Sequence, residues 1–312
     1  MSAPYVERRH ARSRHLAQRG TQMHLLEWGD ASLATPERPT LVLMHGWMDV
    51  AASFQFLVDA LDAAGDAPRH VIAGDWRGFG GSTHLPGADA YWFPDYLADL
   101  DALLERVSPG SPVDLLGHSM GGNVVTMYAG IRPERIRRLI NLEGFGMPRT
   151  TPEAAPKRYA TWLDELRQPQ TLKDYASVAE VAERLRKNNP RLDPALADWL
   201  APRWSERRAD GRWHILGDPA HKRSNPVLYR VEEVLACWDR ITAPVMWVEG
   251  DQTSLSAWWG DRYPRSEVEA RLARLPRLTR HLLAGAGHML HHDQPAALAG
   301  HLRAFLDTAS AD

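Results

Sequence analysis

The first piece of chemistry this chain offers is a serine hydroxyl set in a sharp turn between a buried strand and a helix. Residues 113–116 form an apolar run of strand length that meets Gly117-His118-Ser119-Met120-Gly121, and 124–129 then reads as a buried helix ended near Pro133. A nucleophile at such a turn sits in a strained backbone conformation, so side chains two residues to either side must be nearly absent, as Gly117 and Gly121 are. The Ser119 hydroxyl then stands clear at the helix N-terminus. There the helix dipole and the Met120 amide can stabilise negative charge developing on a substrate oxygen. A serine is a poor nucleophile at neutral pH unless a base takes its proton and a third group orients that base.

These groups need a sheet to position them. Residues 13–18 and 22–28 read as strands of a hairpin around Arg19-Gly20-Thr21. The apolar strand 41–44 runs into His45-Gly46-Trp47. Here a glycine lets the backbone turn toward the site, so that the Trp47 amide can become a second oxyanion donor beside Met120; taken alone, these residues read better as a plain strand-to-loop turn with a packing tryptophan. Ser53 is placed as the cap of a helix over 54–64, and 70–73 is the next strand. Apolar residues at 97, 100, 103, 104 and 107 give a helix packed on a sheet by one face. The strand 138–142 ends on an acid, Glu143, and the strand from Pro244 leads to Gly250-Asp251. A helix over 265–275, a strand over 281–283 and a final helix over 296–307 complete the pattern. Strands alternating with helices imply a mostly parallel sheet with helices on both faces, and ligands of such sheets bind beyond the carboxyl ends of the strands. Glu143 and Ser119 therefore share one rim.

The strand, the Gly-His-Ser-Met-Gly turn and the helix resemble the nucleophile elbow of the α/β-hydrolase superfamily. His45-Gly46-Trp47-Met48-Asp49 with Ala52-Ser53-Phe54 is similar to the corresponding stretch of the serine hydrolase-like proteins within it. The stretch from Asp75 through Arg77, Gly78 and Gly80 to Ser82 matches a superfamily loop whose role is structural, and Gly287-His288 with Asp293 and Pro295 resembles the superfamily's histidine loop. The resemblance implies an α/β-hydrolase core of residues 1–146 and 240–312. It also implies a mostly helical cap inserted at 147–239, with helical patterns around 153–166, 174–187, 193–207 and 226–237 and one short strand at 212–216. His288 becomes the base; His118 is directed away at the elbow and His45 belongs to the oxyanion loop. The order Ser119, acid, His288 agrees with the superfamily. Its usual acid position, three residues beyond Gly250, holds Thr253 here, which cannot carry a charge. Either Glu143 serves, placed like the glutamate of haloalkane dehalogenases, or Asp251 does, with Glu143 preferred. A serine nucleophile implies acyl transfer to water from an ester or lactone through an acyl-enzyme. Carbon–carbon bond hydrolysis and a lapsed, ligand-binding site are the alternatives.

The composition agrees with such an enzyme. The 312 residues are 44% hydrophobic with a net charge of −2, which gives no reason to expect nucleic acid or an anionic membrane as partner. The single cysteine, Cys237, excludes an internal disulfide and reads as a small core residue. The arginine-rich stretch 1–19 lacks the apolar core of a secretory signal, so a cytoplasmic location is expected. No cofactor or metal is expected. His291 and His292 are adjacent without patterned carboxylates and read as a solvated loop rather than a metal cluster. Five of the twelve tryptophans fall in 147–239. Most are assigned to packing and one or two to an apolar pocket wall, implying a small, largely apolar substrate.

Overall fold

Leu41 to Met44 show how the core is layered: Val42 and Met44 enter one apolar cluster, Leu41 and Leu43 the other. Pleating imposes this alternation on a strand buried on both faces. Val245 and Trp247 divide from Met246 and Val248 in the same way. The computed structural model describes residues 3–65, 67–82 and 87–308. Six strands come first: β1 (Arg12–Gln18), β2 (Thr21–Trp28), β3 (Leu41–Met44), β4 (Val71–Gly74), β5 (Val113–His118) and β6 (Ile136–Leu142). Then follow the short β7 (Asp174–Tyr175), β8 (Ser205–Arg207) and β9 (Trp213–Ile215), and finally β10 (Val245–Gly250) and β11 (Leu278–Leu283). The main sheet has eight strands in the order β1-β2-β4-β3-β5-β6-β10-β11. It is parallel except where β2 meets β1 and β4. This is the α/β-hydrolase fold.

Helices α1 (Gln55–Ala63), α2 (Phe93–Val107) and α3 (Met120–Ile131) follow β3, β4 and β5. The segment between β6 and β10 carries α4 (Ala155–Leu166), α5 (Val178–Asn188), α6 (Pro194–Trp204) and α7 (Val231–Trp238). The chain closes with α8 (Leu255–Trp259) and α9 (Arg265–Leu272), then α10 (Leu290–Asp293) and α11 (Pro295–Asp307). One face of the sheet is covered by α1 and α11 through Leu57, Leu61, Leu298 and Leu302. The other is covered by α2, α3 and α9 through Leu100, Leu103, Val124, Tyr128 and Leu272. Each such fully buried leucine contributes on the order of 2 kcal/mol. A third cluster joins α5, α6 and the β7-β9-β8 sheet to Val50, Ala52 and Phe56. It seats the inserted segment over the loop that follows β3.

Several elements differ from the sequence reading. Ser53 is no helix cap: it lies inside a 3-10 turn, Ala51–Phe54, and its hydroxyl donates to Asp49. Residues 205–207 and 213–215 pair as antiparallel strands, and 174–175 joins them, so α5 begins only at Val178 behind the Ser177 cap. Helix α7 packs on the elbow helix α3, where a β-carbon on Gly130 would lie 1.7 Å from the Cys237 carbonyl oxygen. Cys237 is half-buried, and burial pushes its thiol up. Gly130→Ala is expected to force α7 off α3 and to lower stability by about 3 kcal/mol, an overpacking cost read as a shifted urea midpoint.

Candidate active site

The strand register brings the carboxyl ends of β3, β5, β6 and β10 into line: Met44 sits beside Gly117, His118 beside Leu142, and Leu142 beside Val248. Beyond these ends three non-glycine residues take positive φ, Met48 (55°), Ser119 (52°) and Glu143 (55°). Such strain persists only where the surroundings fix it. At Ser119 they do. A β-carbon on Gly117 would lie 2.4 Å from the Gly121 carbonyl oxygen, and one on Gly121 would lie 2.3 Å from that of Met44. The Ser119 amide donates to the Leu142 carbonyl (2.8 Å). Asn141, inside β6, donates to Thr126 of α3 (2.7 Å) and accepts from the Gly144 amide (2.6 Å).

Ser119 Oγ lies 2.9 Å from His288 Nε2, and His288 Nδ1 lies 2.7 Å from Glu143 Oε2. A carboxylate can only accept, so Nδ1 carries the proton and Nε2 turns a lone pair to the serine. Glu143 is buried, and its second oxygen accepts from the Gly250 amide and the Thr253 hydroxyl, both at 2.7 Å. Thr253, at the superfamily's usual acid position, thus holds the glutamate. Asp251 points elsewhere: it is exposed, and its carboxylate accepts from the Gly285 amide (2.8 Å).

The two residues expected to hold the oxyanion, Trp47 and Met120, both lie near the serine. Met120 is the first residue of α3, whose opening N–H groups have no partner within the helix. Trp47 follows Gly46, where a β-carbon would meet the Ser119 Cβ at 3.1 Å. The Trp47 side chain is 52% exposed, so it is not a packing tryptophan. His45 is buried and accepts from the Trp76 amide (3.0 Å). His118 does not reach toward the base role; its Nε2 donates to the His288 carbonyl (2.8 Å), and burial holds it well below the ordinary histidine value. The Asp75 carboxylate ties Ala51, His24 and Gly81, the scaffold role read for its loop.

Sequence reasoning missed several neighbours. Trp258 meets the His288 ring edge-on at 4.6 Å. Asp293 accepts from the Gly287 amide (2.8 Å) and from Asn189 (2.7 Å), linking the histidine loop to the inserted segment. The solvated-loop reading of His291 and His292 is wrong. Both lie on α10 and are buried, against Phe54 and Phe56 respectively, because the histidine loop folds down onto the 3-10 turn after β3. They meet Asp49 there. Burial pushes the Asp49 carboxyl up, but His291, His292 and His45 more than offset it and leave it below its ordinary value. His292, mainly through burial, is held down at about 3.

A cavity of about 470 Å³ opens on Ser119 and His288. Leu185, Leu192, Trp204 and Ile215 of the inserted segment wall it, so Trp204 is the one tryptophan of that segment in the lining. The cations Lys173, Arg184 and Lys222 also line it.

The sequence profile of the α/β-hydrolase fold matches residues 39–295. A serine hydrolase-like protein of Danio rerio is 28% identical over 214 residues, 67% of this chain and 64% of that protein, so the match spans less than two thirds of the relative. A 3-hydroxybutyrate-oligomer hydrolase of Cupriavidus necator is 28% identical over 292 residues, covering 88% of this chain and 89% of that protein. Among solved structures, a thioesterase domain from the curacin biosynthetic pathway superposes with a TM-score of 0.79 at 27% identity, covering 95% of this chain and 99% of that one.

Thr253→Val removes one hydrogen bond from a buried carboxylate, which costs about 1.5 kcal/mol. Labelling of Ser119 by a fluorophosphonate should slow about tenfold in that variant, while Asp251→Asn should label within about twofold of the wild type.

Proposed function

Because the chain belongs to the α/β-hydrolase fold family, and is a hydrolase of that family, we propose that it cleaves carboxylic esters through Ser119, His288 and Glu143. The observation that carries this reading is the continuous hydrogen-bonded line from Ser119 Oγ through the His288 ring to Glu143, open to a cavity at the serine end. In the proposed reaction His288 Nε2 takes the Ser119 proton as Oγ bonds to the substrate carbonyl carbon. The carbonyl oxygen becomes an oxyanion held by the Trp47 and Met120 amides. Collapse breaks the bond to the leaving oxygen, which receives the proton from His288, and leaves an acyl-enzyme. Water, deprotonated by His288, then releases the acid and restores Ser119. Glu143 stabilises the imidazolium in both steps.

The inserted segment acts in this reading as a cap over residues 147–239 that sets specificity. Its wall residues favour an apolar chain next to the ester. The exposed Lys173, Arg184 and Lys222 make no ion pair to a carboxylate among the described residues, and the one acid in the lining, Asp49, is buried. The substrate we propose is therefore an ester with an apolar body and an anionic end. The likeness to a 3-hydroxybutyrate-oligomer hydrolase supports it, since such an oligomer is a chain of esters ending in a carboxylate. No helix among the described residues is long and apolar enough to cross a membrane, and a cytoplasmic place of action completes the proposal.

Hydrolysis of p-nitrophenyl esters, with folding checked by circular dichroism, tests the chemistry. Ser119→Ala should abolish turnover and fluorophosphonate labelling, and Glu143→Gln should lower kcat by about 10³- to 10⁴-fold. A wild type that neither labels nor turns over esters or thioesters would sink the serine-hydrolase reading. Charge selectivity is a separate measurement. An exposed cation contributes up to about 1 kcal/mol, so Arg184→Gln should cut kcat/KM about fivefold for an ester bearing a terminal carboxylate and leave its neutral methyl ester unchanged. Added salt should narrow the difference between the two substrates.

A further inference from the structure

Asp49, His291 and His292 form a buried polar cluster that the proposed reaction does not use. They are 6%, 0% and 4% exposed. Asp49 lies on the loop after β3, just past the strained Met48, and the histidines lie on α10. One donor atom from each of the three falls within 4.8 Å of the other two, and His291 Nε2 stands 3.8 Å from Asp49 Oδ2. Asp49 Oδ1 accepts the Ser53 hydroxyl, which fixes the carboxylate and leaves Oδ2 without a hydrogen-bond partner. Both ring nitrogens of His291 and Nε2 of His292 have no hydrogen-bond partner either. Leaving a buried polar group unpaired costs about 1–3 kcal/mol, and several such groups converging on one point are what a bound ligand repairs.

The donor set names the ligand class. Two imidazoles and one carboxylate oxygen suit zinc and its first-row neighbours; calcium and magnesium take oxygen donors. With bonds of about 2.0 Å, a tetrahedral ion sets its donors roughly 3.3 Å apart, so side-chain rotations of about an ångström close the shell. Asp49 and His292 also line the cavity, which gives an entry path and room for a water as fourth ligand.

We propose that Asp49, His291 and His292 bind one zinc-class divalent transition-metal ion, entering from the active-site cavity. A second effect follows from position and rests on the hydrolase reading: His288 is three residues before His291, and the His118 ring bridges the two at 4.8 and 4.5 Å. Drawing His291 toward Asp49 pulls on the loop that sets His288 against Ser119, so the ion inhibits hydrolysis.

Chelator-treated full-length protein titrated with Zn²⁺ by calorimetry tests binding, and Co²⁺ titrated by visible absorption reports coordination number. We expect one tightly bound ion per chain and the intense visible bands of four- or five-coordinate cobalt. Asp49→Asn and His292→Gln should each weaken binding at least tenfold. His301→Ala, which breaks a histidine pair outside the cavity lining (His281 of β11 and His301 of α11, rings 4.1 Å apart), should leave it intact. Anomalous diffraction from Zn²⁺-soaked wild-type crystals places the ion without any variant. No bound zinc, or an anomalous peak away from these three side chains, would overturn the site. Zinc that binds there without slowing p-nitrophenyl ester hydrolysis would overturn the inhibition alone, and an enzyme without esterase activity would leave the binding result to be read by itself.

Discussion

The Glu143 carboxylate is where three separate pieces of chain are joined. It leaves the end of β6, receives the His288 ring on one oxygen, and receives the turn after β10 on the other through the Gly250 amide and the Thr253 hydroxyl. A buried carboxylate is costly unless its lone pairs are satisfied, and here they are satisfied only when β6, β10 and the histidine loop are all in register. The ring orientation at His288 is therefore a by-product of correct sheet assembly. The same carboxylate that would steady an imidazolium also reports that the rim has closed.

The elbow obeys a constraint of space instead of charge. Gly117, Gly121, Gly122 and Gly144 crowd β5, β6 and the first turn of α3 so tightly that a β-carbon at any of them would come within 3 Å of another atom. That closeness lets Asn141 brace the helix from inside the neighbouring strand, and it holds Ser119 at a φ that an unconfined serine would abandon. Backbone strain at Ser119 and Glu143 is thus held by contacts distributed over two strands and a helix.

Ser119, Glu143 and His288, which the fold brings into one hydrogen-bonded line, each leave a local mark in the sequence: glycines two residues either side of the serine, an acid ending an apolar strand, and a glycine before the histidine. The sheet was legible for the same reason, since its buried strands are unbroken apolar runs. Thr253 left no such mark. Its role depends on how the turn after Gly250 faces a residue 110 positions earlier, and only the pairing of β10 with β6 sets that. His291 and His292 were misread because adjacency in sequence says nothing of Phe54 and Phe56, which enclose them from another element. Strands of two or three residues, as in β7, β8 and β9, are too short to show an alternation at all.

The inserted segment leaves the sheet after β6 and returns at β10, and these two strands are direct neighbours, Leu142 beside Val248. It leaves from the carboxyl end of β6 and re-enters at the amino end of β10, where Val245 pairs with Leu139, so the sheet fixes its two ends about 11 Å apart whatever lies between them. Loop-closure cost grows only with the logarithm of length, so descendants of this chain can lengthen, shorten or replace the segment while the rim stays put. The scaffold thereby separates two rates of change. In the proposed reaction, the walls of the cavity can be exchanged as one cassette, while the strand ends that carry Ser119 and Glu143 stay where the sheet holds them.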